Sequence, residues 1–308
     1  MLSRLLDPGY VEALDHLAIS ARRVVEGTTT GLHRSPIKGA SVEFRQHRVY
    51  VPGDDPRRID WRVLARSDRV FVKEYDEETN LKATLFLDAS GSMGYGKPSK
   101  WEYAKRLLAG LSYLMLSQTE SAGLVVASAS RDVFLAPSSV PGQLSRIVDL
   151  LDQARPQGPT VLDQTILRVS DRMGKRSLVV VVSDFFIPPD RMRQGLARLN
   201  HDRHEIVLVR VLHPDEESFP FRSWLRFVGL EGEKARLVEG PLVRQTYLDR
   251  FKTHQRQLKE LSARFRADLL TCRVDLPLIQ AVQRLVYRST LSDGQSKSGL
   301  SCGSSPHP

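Results

Sequence analysis

Cysteine is nearly absent from this chain, and so is any long apolar run. Its 308 residues include 2 cysteines, Cys272 and Cys302, too few for a disulfide framework or a cysteine-rich metal cluster. Such usage points to a reducing compartment, and a cytoplasmic location is expected. No apolar stretch approaches the ~20 residues that cross a bilayer, so no transmembrane segment is predicted. The opening Met1–Pro8 lacks the apolar core of a secretory leader, and none is expected. A Gly-rich phosphate loop ending in Lys-Ser or Lys-Thr is missing, so the chain should not hydrolyse ATP itself. Zinc-finger spacing and aromatic RNA-binding motifs are missing too.

What is present is ordinary for a globular protein: 41% hydrophobic and 26% charged residues, with a net charge of +9. That charge permits attraction to nucleic acid, anionic lipid or an acidic protein face. Much of the excess is Arg set beside Glu and Asp on helix-like stretches, which reads as a solvated, salt-bridged face. No specific nucleic-acid partner is expected.

Hydrophobic spacing organises the chain. Val11, Leu14, Leu17, Ala18, Ala21 and Val24 form one stripe of a helix over Pro8–Glu26. Short alternating pieces at Ser41–Arg45 and Arg69–Lys73 read as half-buried strands in a Gly-, Arg- and Asp-rich region. From Leu81 strands and helices alternate. Strands are predicted at Leu81–Leu87, Ala122–Ala129, Ser177–Ser183 and Glu205–Leu212, with a short edge strand at Val133–Ala136. Helices are predicted at Trp101–Ser117, Leu144–Ala154, Leu162–Met173 and Pro189–Leu199. This rhythm predicts an α/β fold: a doubly wound, mostly parallel sheet flanked by helices. Then come a hairpin at Trp224–Val238, a basic helix at Thr246–Arg266, a strand at Leu269–Val274 and a helix at Leu278–Tyr287. The domain reading is an N-terminal helix-plus-strand extension over 1–80 packed on the main domain, the main domain over 81–288, and a disordered Ser/Gly/Pro-rich tail over 289–308.

The most informative stretch is Leu85-Phe86-Leu87-Asp88-Ala89-Ser90-Gly91-Ser92-Met93. Its apolar half reads as a strand buried on both faces. Its polar half, Asp-x-Ser-x-Ser, falls just past that strand's carboxyl end, where open α/β sheets bind ligands. One carboxylate and two hydroxyls within five residues suit a hard cation such as Mg²⁺, which prefers oxygen ligands. The plainer reading is an Asp N-cap or Asx-turn, because Asp and Ser are common there.

The motif resembles the metal-ion-dependent adhesion site of von Willebrand factor A domains. That resemblance implies two further loops, one offering Thr and one offering Asp. Gln157-Gly158-Pro159-Thr160 supplies Thr160, and Val182-Ser183-Asp184 ends another buried-strand run and supplies Asp184. The implied metal set is Asp88, Ser90, Ser92, Thr160 and Asp184, holding Mg²⁺ or Mn²⁺. Ser90 and Ser92 would bind directly, Thr160 directly or through water, and the two Asp would mostly orient water. Neutral hydroxyls leave such an ion electron-poor, so a carboxylate from a partner's Asp or Glu is favoured at its open position.

A longer likeness runs through Gly31-Leu32-His33-Arg34-Ser35-Pro36, Glu43-Phe44-Arg45 and Pro52-Gly53-Asp54-Asp55-Pro56-Arg57-Arg58-Ile59-Asp60-Trp61. It resembles the bacterial family catalogued as domain of unknown function 58, in which such a segment precedes an A-domain. The resemblance implies a MoxR-type AAA+ ATPase as partner, and a role as adaptor or co-chaperone in maturing other proteins. In the N-terminal segment Arg34, Lys38, Arg57, Arg58 and Arg66 read as a docking surface. Alternatively Arg57, Asp60 and Trp61 tie the segment down through ion pairs and an indole anchor.

The chain is not expected to be an enzyme, because none of the three loops carries a His to act as general base. Ser90 also lacks the Gly-x-Ser-x-Gly elbow of a nucleophile. The alternatives are a metal-dependent hydrolase using the same ion and a basic nucleic-acid-binding protein.

Overall fold

The computed structural model describes residues 5–28, 42–51, 59–64, 70–77, 81–232 and 234–295. These fall into two units, one formed by Met1–His33 with Lys82–Pro308 and the other by Arg34–Leu81.

The larger unit is built on six strands: β3 (Lys82–Asp88), β4 (Ser121–Ala127), β5 (Val133–Ser138), β6 (Leu178–Ser183), β7 (Glu205–Leu212) and β10 (Asp268–Arg273). Their spatial order is β10-β7-β6-β3-β4-β5. Neighbouring strands run parallel except β5, which pairs antiparallel with β4 at the edge. Helices cover both faces, as the strand–helix rhythm predicts. Central strands with no wet face must be apolar throughout, which is why β6 reads Leu-Val-Val-Val-Val-Ser. Its β-branched run also suits an extended backbone.

Side chains alternate across the sheet. Phe86, Val179, Val181 and Leu208 join a core with Ile166 of helix α5 (Leu162–Ser170), Leu196 of α6 (Pro189–His201) and Leu258 of α8 (Gly240–Arg264). The opposite face is covered by α1 (Pro8–Thr28), α3 (Lys100–Ser117), α4 (Gln143–Gln153) and α9 (Leu278–Gln295). Full burial of one such Leu, Val or Phe contributes about 1.5–3 kcal/mol.

Helix α1 thus belongs with the larger unit and not with residues 34–81. The cause is its apolar stripe: Leu14 and Leu17 are buried, and the Tyr10 ring fills space left open by Gly110 of α3. A Cβ at Gly110 would lie 2.2 Å from the Tyr10 hydroxyl oxygen. Helix α9 continues to Gln295, past the boundary at 288 read from sequence. No Pro interrupts that stretch, so its backbone hydrogen-bonding can continue. The rest of the expected tail, 296–308, lies outside the described residues.

The smaller unit pairs β1 (Val42–Val49) antiparallel with β2 (Phe71–Glu77). Asp60 accepts a hydrogen bond from the Val63 N–H (3.3 Å) at the start of α2 (Trp61–Leu64), the capping use its residue type favours. The Trp61 indole is exposed. Arg34, Lys38, Arg57, Arg58 and Arg66, read as a docking surface, lie outside the described residues.

Two smaller elements position the site. Helix α7 (Pro214–Ser218) follows β7, and a hairpin of β8 (Trp224–Phe227) and β9 (Arg236–Glu239) precedes α8.

Candidate metal centre

The chain leaves β3 toward β4 on one side and later reaches β6 on the other. The carboxyl ends of β3 and β6 therefore border the switch point of the sheet, where open α/β sheets form a crevice. Asp88 ends β3 and Asp184 follows β6. Backbone hydrogen bonds fix the loop between them: Ala89 N–H donates to Ala127 O, Gln157 N–H to Ala89 O and Gly91 N–H to Gly158 O, each at 2.9 Å. The Asp-x-Ser-x-Ser turn and the loop leading to Thr160 are thus bound to each other.

Asp88 is the hub. Its Oδ1 accepts from Ser90 N–H (2.9 Å), and its Oδ2 accepts from the Ser183 hydroxyl (2.7 Å) and the Thr160 hydroxyl (3.3 Å). The hydroxyls of Ser90 and Ser92 lie 3.1 Å apart. Among the described residues no Lys or Arg forms an ion pair with Asp88, which is 1% exposed. Burial, with the nearby charge of Asp184 second, pushes its carboxyl up to about 6 against the hydrogen bonds that lower it.

Asp184 has a different surrounding. Its Oδ1 accepts from Phe186 N–H (3.1 Å) and its Oδ2 from Lys100 Nζ (2.6 Å). The intervening Phe185 is fully buried and holds φ of 55°, a left-handed turn that a bulky residue rarely adopts. Lys100 opens α3, is 0% exposed, and also donates to Glu216 Oε1 of α7 (2.5 Å). Glu216 accepts from His213 N–H (2.8 Å) with its other oxygen, closing the capping box of α7. Burial raises the Glu216 carboxyl, opposed by the Lys100 charge. Arg210 of β7, 1% exposed, donates from Nε to Asp184 O (3.3 Å) and stacks over Phe251 at 5.0 Å.

The structure therefore brings Asp88, Ser90, Ser92 and Thr160 into one hydrogen-bonded group, with Asp184 beside it but engaged by Lys100. Sequence reading missed Ser183, Lys100, Glu216 and Arg210. Glu216 follows the carboxyl end of β7, so applying the strand-end rule to the third central strand would have reached it. Lys100 carried no signal, because a Lys at a helix start normally reads as solvated.

The donor set suits a hard divalent cation: three hydroxyls around a buried carboxylate that has no basic partner among the described residues, at the switch point. Among the described residues no group of three or more His, Cys, Asp or Glu is gathered to hold a metal. Softer ligation by a cluster of imidazoles or thiolates therefore has no counterpart among them.

A family model described as "Protein of unknown function DUF58" matches residues 46–257. The chain belongs to the DUF58 family. Similar relatives include Uncharacterized protein Rv1480 of Mycobacterium tuberculosis and Uncharacterized protein Mb1516 of Mycobacterium bovis, each 27% identical over 220 residues, 70% of this chain and 68% of theirs. Similar solved structures include an aerotolerance-related membrane protein of Bacteroides fragilis, at TM-score 0.47 and 16% identity over 69% of this chain and 99% of that one. Another is the SpRpn10 VWA domain, at TM-score 0.38 and 13% identity over 66% of this chain and 93% of that one. Among the described residues of this DUF58 chain, no helix is long and apolar enough to cross a membrane.

Proposed function

We propose that this DUF58 protein is a protein-binding module whose contact with its partner depends on a divalent cation, Mg²⁺ or Mn²⁺. Asp88, Ser90, Ser92 and Thr160 would hold the ion, with Asp184 adding charge from behind and acting through water. The observation that carries the reading is Asp88: a buried carboxylate ringed by hydroxyls, with its pKa raised and, among the described residues, no basic group neutralising it. Such a group is costly unless a cation joins it. A bound ion would supply Lewis acidity toward an incoming oxygen ligand. Among the described residues the nearby imidazoles are engaged elsewhere: His213 and His254 bind other backbone partners, at the α7 cap and Ile187 O. Capture of a partner's Asp or Glu fits this set better than turnover. We further propose a MoxR-type AAA+ ATPase as that partner, with the pair acting in maturation or assembly of other proteins, in the cytoplasm.

The test is Mn²⁺ binding by calorimetry for the native protein and Asp88→Ala, followed by co-purification with the ATPase in Mg²⁺ or EDTA. Loss of at least about tenfold in Mn²⁺ affinity, about 1.4 kcal/mol, together with EDTA-sensitive capture, is expected. Equal Mn²⁺ binding by both proteins refutes the site, and capture indifferent to EDTA refutes the bridge.

A further inference from the structure

The turn between β8 and β9 folds back onto the candidate metal centre. Two independent contacts place it there. Glu231 Oε2 accepts from the Thr160 N–H at 3.4 Å. One residue earlier, the Leu230 carbonyl lies so close to Gly91 that a Cβ on Gly91 would stand 1.9 Å from its oxygen. Gly91 occupies the middle of Asp-x-Ser-x-Ser, between Ser90 and Ser92. Its φ does not require glycine, since it falls outside the left-handed residues. The close approach of the hairpin backbone is what excludes a side chain there. The loop that carries two of the hydroxyls is therefore shaped to receive this turn.

The turn brings a carboxylate. Glu231 is half-buried, and it reaches the residue whose hydroxyl already bonds Asp88. The side chain delivered to this rim is thus of the class proposed above for the partner.

We infer that Glu231 is an internal stand-in for the partner's carboxylate, occupying the approach to the metal centre until a partner displaces it. This rests on the reading of Asp88, Ser90, Ser92 and Thr160 as a cation site. The hairpin then sets the threshold for binding: if the open form is populated at about 10%, apparent affinity for a partner carboxylate falls about tenfold. Only a ligand that competes effectively with Glu231, or one that also holds the hairpin aside, would engage. The exposed Trp224 of β8 and Leu237 of β9 offer such a second hold.

The experiment uses Mn²⁺ as probe and water-proton relaxation as readout, with the full chain as native, Glu231→Gln and Glu231→Ala. Bound Mn²⁺ relaxes the water it exchanges, so relaxation reports how open its coordination is. Acetate, added as a minimal carboxylate, lowers it by replacing water. Mn²⁺ should bind all three proteins. Both variants should show higher relaxation per bound ion, and acetate should act on them at about tenfold lower concentration. Hydrogen exchange without metal should show faster exchange at Thr160 in Glu231→Ala. Equal relaxation and equal acetate response in all three proteins overturn the internal ligand while leaving the cation site standing. Failure of the native protein to bind Mn²⁺ overturns the cation reading and this inference with it.

Discussion

Lys100 offers the sharpest test of how the site is held together. Its ammonium is fully buried, 2.6 Å from Asp184 and 2.5 Å from Glu216. Replacing it by Met keeps most of its volume and removes the charge. Two carboxylates are then left in a dry place facing each other. Breaking a buried pair from one side typically costs 3–5 kcal/mol, because the remaining charge is uncompensated. Here two acceptors lose their donor, so the upper part of that range, about 5 kcal/mol, is expected. Unfolding monitored by urea should show a midpoint lowered by roughly 2 M, for a slope near 2–3 kcal/mol per molar. The cause is isolated by adding Glu216→Gln to Lys100→Met. If stranded charge is responsible, the second change restores about half of the loss, since a neutral amide needs no counter-ion. Lys100→Met within about 1 kcal/mol of the native protein, or a double variant worse than the single, refutes the reasoning.

Other consequences follow from the same geometry. Burial pushes Glu120, after α3, up to about 7 from an ordinary 4.5. An acid whose folded pKa is raised costs stability as pH climbs through that window, because the unfolded chain ionises first. Glu120→Gln should therefore gain roughly 1–3 kcal/mol over the native protein above pH ~7 and nothing below pH ~4.5; a gain at low pH instead contradicts the assignment. The buried Cys272 thiol is raised to about 11, so it should resist alkylation at pH 8 until the chain is denatured; mass-spectrometric mapping of rapid native labelling there would count against the packing. Gly110→Val should unseat Tyr10 and loosen α1 at a cost of about 1–3 kcal/mol, read as faster hydrogen exchange over residues 8–18 with the central strands unchanged.

The strand–helix order was legible because buried parallel strands and amphipathic helices leave periodic signatures that local sequence carries. β7 coincides with its predicted span, Glu205–Leu212, and the antiparallel edge strand β5 falls where alternation placed it. What escaped depends on tertiary placement. Helix α8 starts at Gly240, six residues before the predicted Thr246, since Gly-Pro reads as a turn while Pro at the first helical turn is in fact well tolerated. Helix α7 is only five residues long and carries no apolar period. Helix α1 was assigned to the N-terminal extension because its stripe says that it packs, but not on what.

The same division explains the site. Residues that chemistry marks by local spacing, Asp88, Ser90 and Ser92, can be read one after another. Thr160 and Asp184 needed a family pattern to be joined to them. Lys100 and Glu231 bear no mark, since each is a common surface residue whose meaning lies in what folding sets beside it. On the proposed reading these two would shape how the centre behaves. Lys100 takes Asp184 out of free circulation and ties it to α7, leaving Asp88 without a cationic partner among the described residues. Glu231 brings a carboxylate to the Thr160 N–H. On the inference above, a centre with Lys100 beside Asp184 and a displaceable Glu231 beside Thr160 would be electrostatically asymmetric. A divalent ion would then be held by Asp88 and the hydroxyls, with Glu231 beside Thr160. On that reading a partner would approach from the side of the β8–β9 turn. Substitutions on α8 remote from that turn should leave metal-dependent capture unaffected, whereas Trp224→Ala and Leu237→Ala should weaken it if the hairpin is part of the contact.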